Sequence, residues 1–261
     1  MIPRADIIAW RKYAPWNSNE QVEQDLIICR ALVELYSHPL IQTTCSFRGG
    51  TAIHKLYMSP SPRYSEDIDL VQIQPQPIGE ILDCIREQLA FLGTPRILQK
   101  NRNNVLIFRC DSEIPPIVPI RLKIEINCRE HIIVHGLQEA PFDVSSRWFS
   151  RACHLTTYSL EELLGSKLRA LYQRNKGRDL FDLWYCMVNR QLDERLIIET
   201  FNILMAHEGH RISQKAFIAN LEQKLHDPDF SGDIKGLLRV DIPFLIETAW
   251  NVVSERLISL L

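Results

Sequence analysis

The sequence of 261 residues contains no uninterrupted apolar run close to the ~20 residues that a helix needs to cross a bilayer, so no membrane-spanning helix is expected. Its opening, MIPRADIIAWRKYAPW, has neither a long apolar core nor a small-residue cleavage site, and no secretory signal is expected. No C-x-x-C pair occurs. The seven cysteines (Cys29, Cys45, Cys84, Cys110, Cys128, Cys153 and Cys186) are scattered and odd in number, which suits reduced thiols better than a disulfide framework or a zinc ribbon. Charge of one sign is not in excess: the formal net charge is -2, so the chain as a whole does not announce a nucleic-acid binder, although a local basic cluster could still meet RNA. The phosphate-binding pattern G-x-x-x-x-G-K-[ST] is missing, as are internal repeats and low-complexity segments. What is there is 46% hydrophobic and 24% charged, the balance of an ordinary globular protein with length for one large domain or two small ones. A cytoplasmic protein is expected.

Apolar residues at three- and four-residue steps predict a helix from about Asn19 to Tyr36, N-capped by Ser18 and ended before Pro39. The β-branched stretch Thr43 to Phe47 predicts a strand, closed by Gly49-Gly50 and followed by a helix over Thr51 to Met58. Ser59-Pro60-Ser61-Pro62 reads as a loop. Strict alternation predicts strands over Asp67 to Ile73 and Val118 to Asn127, with a helix from Gly79 to Leu92 between them. Arg96 to Lys100 and Val105 to Cys110 suggest a hairpin around Asn101-Arg102-Asn103-Asn104. Ile132 to Val134 is a short strand candidate, and the chain to Thr157 reads as irregular. From Ser159 the pattern turns helical. Ser159 and Glu162 form a capping-box signature, and Asn175-Lys176-Gly177 separates that helix from another over Arg178 to Val188. Two parts are expected: an α/β core over 1–157 and a helical region over 158–261.

The chemistry concentrates in FRGGTAIHKLYMSPSPRYSEDIDLVQI, Phe47 to Ile73. Residues i and i+2 of a strand share a face, so Asp67 and Asp69 stand side by side while Ile68 and Leu70 point to the core. Two such carboxylates repel, and a hard divalent ion answers that repulsion with oxygen ligands. D-x-D by itself equally describes a solvated strand edge. Glu125, on the polar face of another alternating strand, is a candidate third carboxylate; its alternative is an ion pair with Lys123 or Arg121. Gly49-Gly50-Thr51 offers backbone N–H groups that a phosphate can approach closely, where a plain strand-to-helix turn is the ordinary reading. A phosphate cradle beside a D-x-D strand is more specific than either alone.

At this point the sequence resembles the AbiEii/AbiGii nucleotidyltransferase-like toxin family, of the DNA polymerase β-type superfamily. The resemblance rests on Gly49-Gly50-Thr51, on Arg63-x-Ser65-x-Asp67-x-Asp69, and on Lys167-x-x-Ala170-Leu171 followed by Arg174 and Arg178-Asp179-x-x-Asp182. The N-terminal W…PW…Q-V-E-Q-D-L agrees, and the match spans about Trp10 to Met187. It implies an α+β fold, with a polymerase β-like core of mixed sheet flanked by helices and a helical C-terminal region that contributes Lys and Asp residues to the site. It also implies transfer of a nucleotidyl group from an NTP, with tRNA 3′ ends as acceptors in some relatives, a cognate antitoxin, and phage defence by abortive infection. Matching positions imply that Ser65, Asp67, Asp69, Lys167 and Asp179 form the functional core.

The residues themselves allow that assignment. Asp179 and Asp182 are neighbours on one helix face, and a Lys with two Arg could bind a triphosphate or an RNA backbone. They could also form ion pairs with one another or with Glu161. The expected mechanism has Mg²⁺ (or Mn²⁺) on Asp67 and Asp69, with Glu125 a candidate third ligand. Gly49, Gly50, Thr51 and Ser65 cradle the triphosphate, with Arg63, Lys167 and Arg178 neutralising it and Lys123, Arg174 and Asp182 in support. An RNA hydroxyl then attacks the α-phosphate. AMP transfer to protein, kinase-like phosphotransfer and a catalytically silent RNA- or partner-binding module are the competing readings. His207-Glu208-Gly209-His210 lacks a third ligand and reads as a solvated helix end, and His131 and His135 carry no usable spacing. Trp10, Tyr13 and Trp16 are expected to pack the N-terminal segment onto the core rather than to stack bases.

Overall fold

Ile7 and Trp10 turn inward from a short helix α1 (Arg4–Trp10), and the long periodic stretch behind it forms α2 (Asn19–Tyr36). Ser18 caps α2 as expected: its side chain accepts from Gln21 N, and the Gln21 side chain accepts from Ser18 N in return, both at 3.4 Å. The computed structural model describes residues 2–100 and 103–261. It divides into two compact units, Met1–Ile133 with Leu137–Tyr158, and Val134–Gly136 with Ser159–Leu261.

In the first unit Pro39 starts a helix rather than merely following one. α3 (Pro39–Thr44) takes the proline in its first turn, where a missing N–H costs nothing. Thr43 and Thr44, expected in a strand, end this helix, and their hydroxyls bond back to Pro39 O at 2.8 Å and Leu40 O at 2.6 Å. The strand β1 (Cys45–Arg48) therefore begins later than its β-branched residues suggested. α4 (Gly49–Ala52) follows and passes into a π-helical turn over Ile53–Tyr57, where a regular helix was expected. Then come β2 (Asp67–Gln72), α5 (Gly79–Gln88) with a 3₁₀ turn at Ala90–Leu92, β3 (Arg96–Lys100), β4 (Asn103–Asp111) and β5 (Pro119–Asn127). The Asn101-Arg102 part of the expected hairpin turn lies outside the described residues. Ile132 to Val134 is not a strand, and the stretch read as irregular forms two: β6 (Leu137–Ser145) and β7 (Ser150–Tyr158).

The seven strands make one mixed sheet in the order β3-β4-β5-β2-β1-β7-β6. β2 pairs antiparallel with β1 and parallel with β5, and β7 joins β1 in parallel. Ile68, Leu70, Leu106, Phe108, Leu122, Ile124 and Ile126 fill the core.

A buried ion pair ties the N-terminal helices to this core. Asp25 on α2 is 2% exposed and accepts from Trp10 Nε1 at 2.9 Å, Trp16 Nε1 at 3.0 Å, Lys55 Nζ at 2.5 Å and the Cys29 thiol at 3.6 Å. Burial works against the Lys55 charge, but Asp25 outweighs it and holds the ammonium above the ordinary lysine range. The two tryptophans thus pack the chain's opening, while Tyr13 stays exposed.

The second unit is helical: α6 (Leu160–Gln173), α7 (Gly177–Asn189), α8 (Glu194–His207), α9 (Gln214–Leu225), α10 (Pro228–Gly232) and α11 (Ile246–Arg256). Ser159 caps α6 through Glu162 N at 3.2 Å, but the expected reciprocal bond is replaced. The Glu162 carboxylate instead accepts from Val134 N at 2.8 Å and His135 N at 2.9 Å, fixing that segment to α6. α6 and α8 approach closely at Gly165, where a Cβ would stand 2.5 Å from that of Thr200. His207 ends α8 and His210 follows it, both exposed. Among the described residues no helix is long and apolar enough to cross a membrane.

Candidate active site

The polar face of β2 meets the polar faces of its two neighbours. Asp67 and Asp69 share that face, while Ile68 and Leu70 are fully covered on the other side. Register places Asp69 level with Arg48 on β1 and with Glu125 on β5, and Asp67 level with Lys123. Lys123 Nζ lies 2.8 Å from Asp67 Oδ2 and 3.4 Å from Glu125 Oε2. Asn103 Nδ2 donates to Glu125 Oε1 at 3.2 Å, and Arg48 Nη1 reaches Glu130 Oε2 at 3.5 Å.

Burial raises the Asp69 carboxyl above its usual range; Arg48 opposes this, and the Asp67 charge adds to it. Burial raises Asp67 too, against the hydrogen bond from Lys123. Burial also disfavours the Lys123 ammonium, but Asp67, Asp69 and Glu125 together keep it above the ordinary lysine value. The face thus sets Asp67, Asp69 and Glu125, the two aspartates raised mainly by burial, among the cations of Lys123, Arg48 and Arg121.

Gly49 opens the turn into α4 at φ 82°, a conformation that favours glycine. A Cβ there would stand 3.2 Å from the Cβ and Cγ of Asp69 and closer still to Oδ2. The Gly49 backbone thus borders the carboxylate directly. Thr51 Oγ1 donates to Asp67 O at 2.5 Å. Its single proton is then committed, so in the 2.7 Å contact between the two hydroxyls Ser65 donates to Thr51. Gly50 and Thr51 are buried. Arg63 is 3% exposed, and its Nη1 donates to Tyr64 O at 3.0 Å.

In the helical unit Lys167, Asp179 and Asp182 form a buried cluster. Lys167 Nζ is 3.0 Å from Asp179 Oδ1 and 3.0 Å from Asp182 Oδ2, and both aspartates are fully buried. Arg174 grips Asp179 with two bonds, Nε to Oδ2 at 2.6 Å and Nη2 to Oδ1 at 2.7 Å. Burial alone would raise the Asp179 carboxyl, but Lys167 and Arg174 prevail and hold it below the usual range. Arg178 points to Asp233, at 3.7 Å. Sequence reasoning missed Lys224, whose Nζ bonds Leu171 O and Tyr172 O at 2.6 Å each. It also missed Arg48, which precedes the glycine pair but declares its role only through strand register. His131 Nδ1 lies 2.6 Å from Gln72 O and His135 Nε2 3.1 Å from Thr200 Oγ1.

Among the described residues no three His, Cys, Asp or Glu side chains converge as a ready-made metal cage. Two hard carboxylates side by side are nevertheless the donor set Mg²⁺ uses when a nucleotide's phosphates supply further ligands. Asp67 and Asp69 fit such an ion. Glu125 is held by Lys123 and Asn103.

A family model described as nucleotidyl transferase AbiEii toxin, type IV TA system, matches residues 30–253. No curated protein matches the sequence. Among solved structures, the chain is similar to MenT4, a nucleotidyltransferase toxin from Mycobacterium tuberculosis H37Rv. The TM-score is 0.57 at 14% identity, over 97% of this chain and 99% of that one. A candidate nucleotidyltransferase from H. pylori matches with a TM-score of 0.52 at 20% identity, over 92% of this chain and 95% of that one. These likenesses speak for a shared fold. The family match covers most of the chain, which belongs to the AbiEii family of nucleotidyltransferase toxins from type IV toxin–antitoxin systems.

Proposed function

We propose that the enzyme transfers a nucleoside monophosphate from an NTP to an RNA hydroxyl, with the 3′ end of tRNA as acceptor, using Mg²⁺ (or Mn²⁺) held by Asp67 and Asp69. The observation that carries this is the same-face aspartate pair, both carboxyls raised by burial, directly against the Gly49 turn. Glu125 stands level with Asp69 on β5 as a further carboxylate.

The ion would supply charge neutralisation at the triphosphate. The protein's own groups position the reactants. Gly49 lets phosphate oxygens approach the backbone, with Gly50 and Thr51 behind it. Ser65, its proton given to Thr51, could accept from a hydroxyl of the nucleotide or of the acceptor. Arg48 and Lys123 face the developing negative charge. The acceptor oxygen bonds to the α-phosphorus in line, the α–β anhydride bond breaks, pyrophosphate departs, and the hydroxyl proton is lost to solvent. Arg63 supports the Ser65 segment from within, through Tyr64 O. Lys167, Asp179 and Arg178, with Arg174 and Asp182 in support, would serve as functional residues of the helical unit. The enzyme would act in the cytoplasm, restrained by a cognate antitoxin and serving phage defence.

The test is incubation with each α-phosphate-labelled NTP, Mg²⁺, and total RNA and protein. Label that migrates with tRNA, is released by ribonuclease and is lost in Asp67→Ala supports the proposal. Label removed only by protease would assign AMP transfer to protein. Absence of label in either polymer would leave a binding module.

A further inference from the structure

Lys123 is the unusual member of the carboxylate face. On β5 its neighbours at two-residue spacing are Arg121 and Glu125, and parallel register sets it level with Asp67. Its ammonium bridges two carboxylates on different strands, at 2.8 Å from Asp67 and 3.4 Å from Glu125. Its side chain is only 21% exposed, so its place between them is not that of a waving surface lysine. A +1 charge on a flexible stem therefore sits among the anions that would otherwise attract a free divalent ion. The anions it meets are Asp67, Asp69 and Glu125; the other cations facing them are Arg48 and Arg121.

We propose that Lys123 is a built-in counter-ion, which occupies Asp67 and Glu125 in the nucleotide-free enzyme and is transferred onto the triphosphate when the nucleotide brings the divalent ion. This rests on the metal-dependent reading above and deepens it by giving an order of binding. Asp67 and Asp69, side by side on one strand face, would without Lys123 attract a divalent ion at rest, whether or not substrate was present. With Lys123 among them, an entering ion must displace an ammonium at hydrogen-bond distance, which a bare ion does poorly. A metal–nucleotide complex does better, because its phosphates give the ammonium a new partner. Arginine could bridge the carboxylates but could not follow as a compact point charge, so a lysine suits a partner exchange.

The test measures Mn²⁺ binding to the purified full chain by the loss of the free-ion paramagnetic resonance signal, without nucleotide and then with each NTP. Wild type, Lys123→Gln, Lys123→Arg, Asp67→Asn and Asp69→Asn are compared, and cooperative thermal melting shows which variants are folded. Without nucleotide, Lys123→Gln should bind Mn²⁺ at least about tenfold more tightly than wild type, while Lys123→Arg stays as weak. With NTP the advantage of Lys123→Gln should vanish or reverse. Equal Mn²⁺ affinity of wild type and Lys123→Gln without nucleotide overturns the proposal, even when Asp69→Asn shows that the metal reading holds. If neither aspartate variant weakens Mn²⁺ binding in the presence of NTP, the metal reading itself is overturned, and the counter-ion with it.

Discussion

Replacing Gly49 by alanine tests whether the close approach between the turn and Asp69 matters for catalysis. Two separate effects are expected, and the structure supplies a control for one of them. Gly49 and Gly93 share a positive φ, 82° and 81°. Forcing alanine to a positive φ costs about 1–3 kcal/mol, and Gly93, at ψ -162°, lies where glycine is strongly favoured. At Gly93 a Cβ meets nothing within 4 Å, so the cost ends there. At Gly49 the Cβ would lie 3.2 Å from the Asp69 Cβ and Cγ and nearer to Oδ2. Carbon pairs prefer about 3.5–4.0 Å, so the carboxylate must swing aside, by roughly 1 Å at its oxygens. A displacement of that size in a reacting constellation costs about 10²-fold in rate. Urea unfolding should therefore show destabilisation of both Gly49→Ala and Gly93→Ala, the steric contact with Asp69 adding to the backbone cost only at Gly49. Transfer from α-phosphate-labelled NTP should fall by about 10²-fold only in Gly49→Ala. Equal activity of the two variants would refute the reasoning, because it would mean that Asp69 can move without consequence.

Other consequences follow from the buried charges. Asp25→Asn leaves Lys55 charged and buried without its partner and should cost about 3–5 kcal/mol in urea unfolding, whereas Asp25→Leu with Lys55→Met should cost less than Asp25→Asn alone. Asp179, held below its ordinary carboxyl range, contributes stability that is complete above the unfolded value of 3.8 and is lost as pH falls through the lower folded value. Asp179→Asn should accordingly flatten stability against pH below pH 4 and leave the curve above it parallel, which acid titration of the melting temperature checks. Chelation by EDTA should abolish transfer and Mg²⁺ or Mn²⁺ restore it, while zinc-specific chelators have no effect. In cells, Asp69→Ala should relieve growth arrest on induction; arrest as strong as the wild type's would separate toxicity from this chemistry.

The features legible in the sequence are those whose physics is local. The α2 stripe and its Ser18 cap need only a few consecutive residues, as does the shared face of Asp67 and Asp69. Alternation in Val118 to Asn127 likewise survives as β5, because one face of it is buried. The misread elements depend on distant partners. Thr43 and Thr44 look like strand residues until Pro39 starts a helix that they finish with back-bonding hydroxyls. β6 carries Pro141 and few buried residues, as an edge strand can, so its pairing with β7 leaves little trace in periodicity. Glu162 has the spacing of a capping partner, but the backbone of Val134 and His135 claims its carboxylate. In the site, D-x-D pointed to the carboxylates, and register supplied what they face. Only the parallel pairing of β2 with β5 sets Lys123 beside Asp67, and only the antiparallel pairing with β1 sets Arg48 beside Asp69.

The central claim is that Asp67 and Asp69 hold the ion for attack on the α-phosphate of an NTP. It is tested most directly by parallel reactions with α- and γ-phosphate-labelled NTP, Mg²⁺ and purified tRNA, using wild type and Asp69→Asn. The account predicts that α-label enters the RNA, that γ-label leaves as pyrophosphate, and that both are lost in Asp69→Asn. Retention of γ-label in the acceptor, or undiminished α-label with Asp69→Asn, would contradict it.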